Sequence, residues 1–337
     1  MSQASFSEAI PGHGRLAVIG AGAWGTALAI QACRAGGEVA LWARDPARAL
    51  AMRTLRTNAR HLPGYPLPPE LAVTADAREA LSGAALAVLA VPTQHLAAVL
   101  EELPHLPPCI IVAKGVEATT LRFPLEILAE ARAGLSAAVL SGPNFAHEVA
   151  GGLPAAAVVA SADAGLRAAA IARLGTPGFR LYAGLDPLGV QVAGAAKNVA
   201  AIAAGAAIGA GLGENARAAI VTRALAEIAR LAVALGGRGD TVAGLAGLGD
   251  LMLTCAGASS RNFSLGVALG RGERAEEVLA GRSSVTEGAA TAPALLARAA
   301  AAGVELPICA AVAGVLKGSV TVQGAMESLL GRPRRAE

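Results

Sequence analysis

At 337 residues the chain exceeds the size at which one hydrophobic core stops growing, so two domains are expected, each able to bury its own core. Apolar residues make up 54% and charged residues 16% but aromatics only 3%, so the bulk is Ala, Val and Leu with 41 glycines, which favours close helix packing over an aromatic-lined groove. The net charge is only +3 and the 28 basic residues are scattered rather than striped, which speaks against nucleic acid and leaves an anionic small molecule as a possible ligand.

Residues 1–14 are polar and broken by Pro11, with no basic stretch leading into an apolar one, so they read as a flexible extension and the protein is expected in the cytoplasm. From Arg15 to about Tyr182, apolar runs of strand length alternate with amphipathic segments. This is the pattern of an α/β Rossmann domain with a doubly wound, mainly parallel sheet. Strands are expected at 16–20, 38–43, 86–91, 109–113, 137–141 and 155–160, with helices such as 26–35 and 96–102 between them. After Asp186 Ala-rich helical patterns follow one another, so the second domain is mainly α-helical. The expected division is a dinucleotide-binding domain over 15–188, a helical substrate-binding domain over 189–330 and a basic tail over 331–337. Residues 189–213 are long enough for a helix at the boundary, against the cofactor cleft; the uncharged part, 199–213, falls short of the roughly 20 residues of a membrane span and reads as a buried helix. Cys33, Cys109, Cys255 and Cys309 form no CxxC pair and the histidines form no HExxH, so neither a disulfide framework nor a metal site is expected.

The run Arg15-Leu-Ala-Val-Ile-Gly20-Ala-Gly22-Ala23-Trp24-Gly25 is a strand, a glycine turn and a helix start, in that order. Gly20 permits the tight turn, Gly22 lets the backbone approach a pyrophosphate, and Gly25 lets the helix pack on the strand, with Ala23 at the turn. Trp24 either packs the turn or shields the cofactor. The second strand ends in Ala43 and is followed by Arg44-Asp45, where a carboxylate on the last strand residue would select NAD. Arg44 can pair instead with a 2′-phosphate, so NADP or NAD is the cofactor, NADPH being favoured; the alternative is an exposed Arg-Asp turn before Pro46.

Three segments are too polar for core filler: Ala113-Lys114-Gly115, Ser141-Gly142-Pro-Asn144-Phe-Ala146 and Gly194-Ala-Ala-Lys197-Asn198. The first two follow strands, and ligands in open α/β sheets bind beyond the carboxyl ends of strands. Lys197 lies in an apolar helical run, where it either gives up a proton readily in a cleft or snorkels to water. Between Gly244 and Asn262 come a Gly-rich loop, Asp250, Thr254, Ser260, Arg261 and Asn262, a natural anion cradle or simply a capped helix start.

Taken together, these motifs resemble the bacterial type of NAD(P)-dependent glycerol-3-phosphate dehydrogenase from Arg15 to about Leu330, including Gly211-Leu-Gly-Glu-Asn-Ala-Arg217 and Val285-Thr-Glu287-Gly288. The resemblance implies reversible reduction of dihydroxyacetone phosphate to sn-glycerol 3-phosphate for glycerophospholipid synthesis, by a homodimer. It makes Lys197 the proton donor and acceptor, Lys114 a contact of substrate and cofactor, and Asp250 and Thr254 the rest of the polar site. Ser260, Arg261 and Asn262 become the phosphate cradle, with Arg261 also near the cofactor. Gly142, Asn144 and Ala146 form the loop touching substrate and nicotinamide, Asn198 stabilises charge at the substrate, and Val285 and Glu287 touch the cofactor. Asn144, His147 and Phe263 depart from the small hydroxyl residue, the lysine and the arginine usual there. A β-hydroxyacid dehydrogenase and a catalytically idle dinucleotide sensor are the alternatives, the first lacking the Ser-Arg-Asn cradle and the second having no need for Lys197 and Asp250.

Overall fold

The computed structural model describes residues 14–281 and 286–333. Its strands are β1 (Arg15–Ile19), β2 (Val39–Trp42), β3 (Thr57–Asn58), β4 (Leu62–Pro66), β5 (Ala72–Thr74), β6 (Ala84–Leu89), β7 (Cys109–Ile111), β8 (Ala137–Ser141), β9 (Ala155–Ala160) and β10 (Phe179–Gly184). Eight of them form one sheet in the order β10-β9-β8-β7-β6-β1-β2-β5, and β3 and β4 make a separate ribbon. The six strands from β5 to β8 are parallel; β9 runs antiparallel to β8, and β10 parallel to β9.

Alternate residues of β1 feed two cores, which is why the strand reads as an unbroken apolar run. Leu16 and Val18 pack with Leu28 and Ile30 of the helix Ala23–Arg34, whereas Ala17 and Ile19 pack with Leu96 and Leu100 of the helix Thr93–Glu102. All six expected strands are present. The strands not anticipated are weak in sequence: β5 is three residues long, and β10, at the sheet edge, exposes Arg180, Tyr182 and Ala183.

Beyond the sheet the chain is helical. Asp186 accepts a hydrogen bond from Gly189 N at 2.8 Å and Pro187 takes the first helical position, which starts the central helix Pro187–Gly209. Of the helices described, this one is long and apolar enough to cross a membrane, and 83% of its most apolar window is buried inside the fold. It packs against the helices Gly213–Ala234, Asp250–Cys255, Arg261–Gly270, Glu287–Ala301 and Pro307–Lys317. With Arg261–Gly270 the approach is backbone to backbone: a Cβ on Gly205 or Gly209 would lie 2.1 or 2.2 Å from the carbonyl oxygen of Phe263 or Val267. In return, a Cβ on Gly266 or Gly270 would lie 2.1 or 2.3 Å from that of Ile202 or Ala206.

Candidate active site

β1 ends in the glycine turn. Gly20 has φ +112°, and a Cβ there would lie 2.6 Å from Ala90 O; one on Gly25 would lie 2.0 Å from Gly20 O. Around a Cβ on Gly22, by contrast, nothing lies within 4 Å. No side chain caps the helix that starts at Ala23, and Thr26 N bonds back to Gly22 O at 3.0 Å, so the N–H groups ahead of it have no intrahelical acceptor. Space at Gly22 beside free donors at a helix N-terminus fits the pyrophosphate of a dinucleotide. Trp24 is half-buried on the neighbouring core.

Residues not singled out in the sequence complete this turn. Arg48 Nη2 and Asn58 Nδ2 both donate to Ala21 O, at 2.6 and 3.0 Å, and Asn58 also donates to Thr26 Oγ1 at 2.8 Å. Arg48 Nη1 lies 3.1 Å from His61 Nε2, which must accept because a guanidinium only donates. Burial and the charges of Arg48, Arg60 and Arg261 hold the pKa of His61 below its ordinary value. The only hint in sequence was a basic residue one turn into the helix after β2. Arg44, expected to read a 2′-phosphate, is largely exposed and lies 3.5 Å from Glu102.

The loop after β7 and the central helix meet at one carboxylate. Lys114 Nζ donates to Asp250 Oδ2 at 2.6 Å and Lys197 Nζ to Asp250 Oδ1 at 2.5 Å. Lys197 also donates to Thr254 Oγ1 at 2.9 Å, and that hydroxyl donates to Asp250 O at 2.6 Å. Asp250, Thr254 and Lys197 are buried, so Lys197 points into the site and does not snorkel. Burial lowers its pKa to about 8, Asp250 opposing the shift and Lys114 adding to it. At Asp250 burial acts upward, but the two lysines outweigh it and hold the carboxyl below its usual range. Ser141 Oγ, 3.5 Å from Asp250 Oδ2, belongs to this group although it was seen only as part of a motif. Gly194 leaves room for the stem of Lys114, whose Cγ lies 3.4 Å from where a Cβ would be.

Next to Lys197 on the central helix is Asn198; Asn262 Oδ1 accepts from Gly288 N at 3.0 Å, so its Nδ2 faces and donates to Asn198 Oδ1, also at 3.0 Å. Ser260 caps the helix Arg261–Gly270 by accepting from Phe263 N at 3.2 Å, which leaves its hydroxyl hydrogen free to donate. The helix start is therefore capped, and the cap still leaves a hydroxyl donor for an anion cradle. Burial raises the pKa of Glu287 against Arg261, Lys114 and Lys197, which places all three charges within its reach. Arg261 thus acts electrostatically on Glu287 and on His61 beside the glycine turn. Val285 lies outside the described residues.

In the loop after β8, a Cβ on Gly142 would lie 2.8 Å from Ala156 O, and Ala146 opens the next helix. Asn144 Nδ2 donates to Ala156 O at 3.1 Å. His147 stacks on Phe145 with centroids 5.6 Å apart. Phe263 is buried in the apolar core of the helical half, where a charged side chain would need a partner.

Two family models match the chain: the N-terminus of NAD-dependent glycerol-3-phosphate dehydrogenase over residues 15–167 and its C-terminus over 186–327. A glycerol-3-phosphate dehydrogenase [NAD(P)+] of Rhodospirillum rubrum is 50% identical, over 96% of this chain and 93% of its own length. One from a Bradyrhizobium species is 51% identical, over 96% and 98%. The crystal structure of glycerol-3-phosphate dehydrogenase from Coxiella burnetii superposes with a TM-score of 0.91 at 36% identity, over 96% of this chain and all of that one. With its glycine turn, its paired lysines on one buried carboxylate and these relatives, the chain belongs to the NAD(P)-dependent glycerol-3-phosphate dehydrogenase family of oxidoreductases.

Proposed function

We propose that the chain catalyses reversible NAD(P)H-dependent reduction of dihydroxyacetone phosphate to sn-glycerol 3-phosphate, supplying glycerophospholipid synthesis. The observation that carries this reading is the pair of ammonium groups on opposite oxygens of buried Asp250, Lys114 at 2.6 Å and Lys197 at 2.5 Å. The names of the relatives fit it.

The turn Gly20, Gly22, Ala23, Trp24 and Gly25 would seat the dinucleotide, with Ala146 touching its nicotinamide, Arg261, Val285 and Glu287 as further cofactor contacts and Arg44 favouring NADPH. When bound, the nicotinamide supplies or accepts the hydride. Lys197 gives a proton to the ketone oxygen and takes it back in the reverse direction, as its pKa of about 8 allows near neutral pH. Lys114 and Asn198 offset the negative charge that develops on that oxygen. Asp250 and Thr254 hold both ammonium groups in place, and Gly142 and Asn144 line the reacting end. Ser260, Arg261 and Asn262 grip the phosphate, and that remote binding holds the carbonyl in register. Residues 15–188 would thus seat the dinucleotide and 189–330 most of the substrate contacts, with Lys114, Gly142 and Asn144 reaching the substrate from the first part and Arg261, Val285 and Glu287 reaching the cofactor from the second. The homodimer implied by the family and a cytoplasmic location, supported by four buried free thiols, belong to the same proposal.

The test is an assay of the purified chain with dihydroxyacetone phosphate and NADPH or NADH. Reduction of this ketone but not of a β-ketoacid supports the proposal. The reverse selectivity, or cofactor binding without turnover, overturns it.

A further inference from the structure

We propose that Gln94 is a positioning residue for Lys114: its side-chain amide bridges the loop that follows Lys114 and so fixes the reach of that ammonium to Asp250. The inference rests on the roles given above to Lys114 and Lys197. Gln94 is the second residue of the helix Thr93–Glu102, just beyond the carboxyl end of β6. Its Nε2 donates to Val116 O at 2.8 Å and its Oε1 accepts from Ala118 N at 3.0 Å. Both partners are backbone groups of known polarity, so the amide has one orientation and both of its ends are engaged.

The loop needs such a tie because residues 112–123 form neither strand nor helix. Gly115 has φ +147°, and a Cβ there would lie 3.0 Å from Thr291 Oγ1 and 3.3 Å from Thr93 Oγ1, so the chain is pinched between two helices immediately after Lys114. Val116 is fully buried one residue later. Lys114 is a long side chain whose tip must stay on Asp250 Oδ2, and a tip on four rotatable bonds stays in register only if its backbone root does not move. A tie that merely held the loop to the fold would act on stability. One that positions Lys114 acts on the charge beside Lys197. The charged and titratable groups bearing on Lys197 are Asp250, Lys114, Glu287 and Cys255.

The experiment compares Gln94→Met, which keeps the length and removes both hydrogen bonds, with Lys114→Met and the double variant in the full chain. A misplaced catalytic group costs up to about 100-fold, so kcat for reduction in Gln94→Met is expected to fall by about 10–100-fold. Its high-pH limb of kcat/KM should move upward, because Lys197 loses a positive neighbour and keeps its carboxylate. Lys114→Met should move the limb the same way, and the double variant should lose no more than Lys114→Met alone. Gln94→Glu, which keeps the acceptor for Ala118 N but opposes Val116 O, should fall between wild type and Gln94→Met; it carries the test if the methionine variant does not fold. Losses that add in the double variant, or a limb that moves in Lys114→Met but not in either Gln94 variant, overturn the inference alone. A limb that moves in none of them overturns it together with the roles of Lys114 and Lys197.

Discussion

At the glycine turn the protein makes a ligand site by leaving side chains out; around Asp250 it makes one by burying charged groups. The first depends on backbone: open space at Gly22, a helix start with no side-chain cap, and two glycines whose Cβ atoms would strike carbonyl oxygens. The second depends on compensation, since the two lysines hold buried Asp250 ionised and Asp250 in turn offsets the burial of Lys197. A backbone site is therefore damaged by adding atoms, and a compensated charge site by removing them.

The largest expected effect tests the charged side. Lys197→Ala should lower kcat by about 10²–10⁴-fold, the span for a removed general acid, while titration shows cofactor binding intact. A variant within a few-fold of wild type would take Lys197 out of the mechanism. With the Lys197 ammonium as the proposed proton source for reduction, kcat/KM for reduction in the wild type should fall as pH rises through about 8, and that for oxidation should rise over the same interval. Arg261→Ala comes next: a charge-assisted bond to phosphate contributes about 1.5–3 kcal/mol, or roughly 10–150-fold in kcat/KM. Unphosphorylated dihydroxyacetone should not sense the change, and equal losses with both ketones would move Arg261 out of the phosphate site.

Gly22→Ala probes the opposite construction. The added methyl meets no protein atom within 4 Å, so the melting temperature without cofactor should stay near that of wild type. Cofactor affinity should nevertheless fall by about tenfold, equivalent to about 1.4 kcal/mol. Unchanged affinity would put the pyrophosphate elsewhere. The smallest effect is expected at Arg44, exposed and already beside Glu102. Arg44→Ala should narrow the preference for NADPH over NADH by about five-fold, less at high salt. An unchanged ratio of kcat/KM for the two cofactors would assign the 2′-phosphate to another group.

The same contrast explains what could be read from sequence. The glycine turn is legible because its parts are consecutive, and Lys197 stands out as a lone cation in an apolar helix. The carboxylate they converge on is not legible as a meeting point, because Lys114 and Lys197 lie 136 and 53 residues from Asp250. Arg48 and Asn58 were missed for the same reason, since their common target is a backbone carbonyl, which has no sequence signature, and His61 was missed with them because it reaches the turn only through Arg48. The edge strand β10 escaped because exposed residues interrupt its apolar run.

The contact between the central helix and the helix Arg261–Gly270 has a consequence for selectivity. Lys197 and Asn198 sit about two turns before Gly205 on one helix, and Arg261 and Asn262 little more than one turn before Gly266 on the other. Where these helices cross, glycines meet carbonyl oxygens, so there is no rotamer to switch and no methylene to trim that would change their spacing. On the roles proposed for Lys197 and for Ser260 to Asn262, the distance from proton donor to phosphate grip would then be a gauge cut into the backbone, set to one length of phosphorylated ketone. On that reading a substrate with one more carbon between carbonyl and phosphate would find the gauge too short, and adapting the site to it would require new residues at Ser260 and Arg261 rather than a shift of the helices.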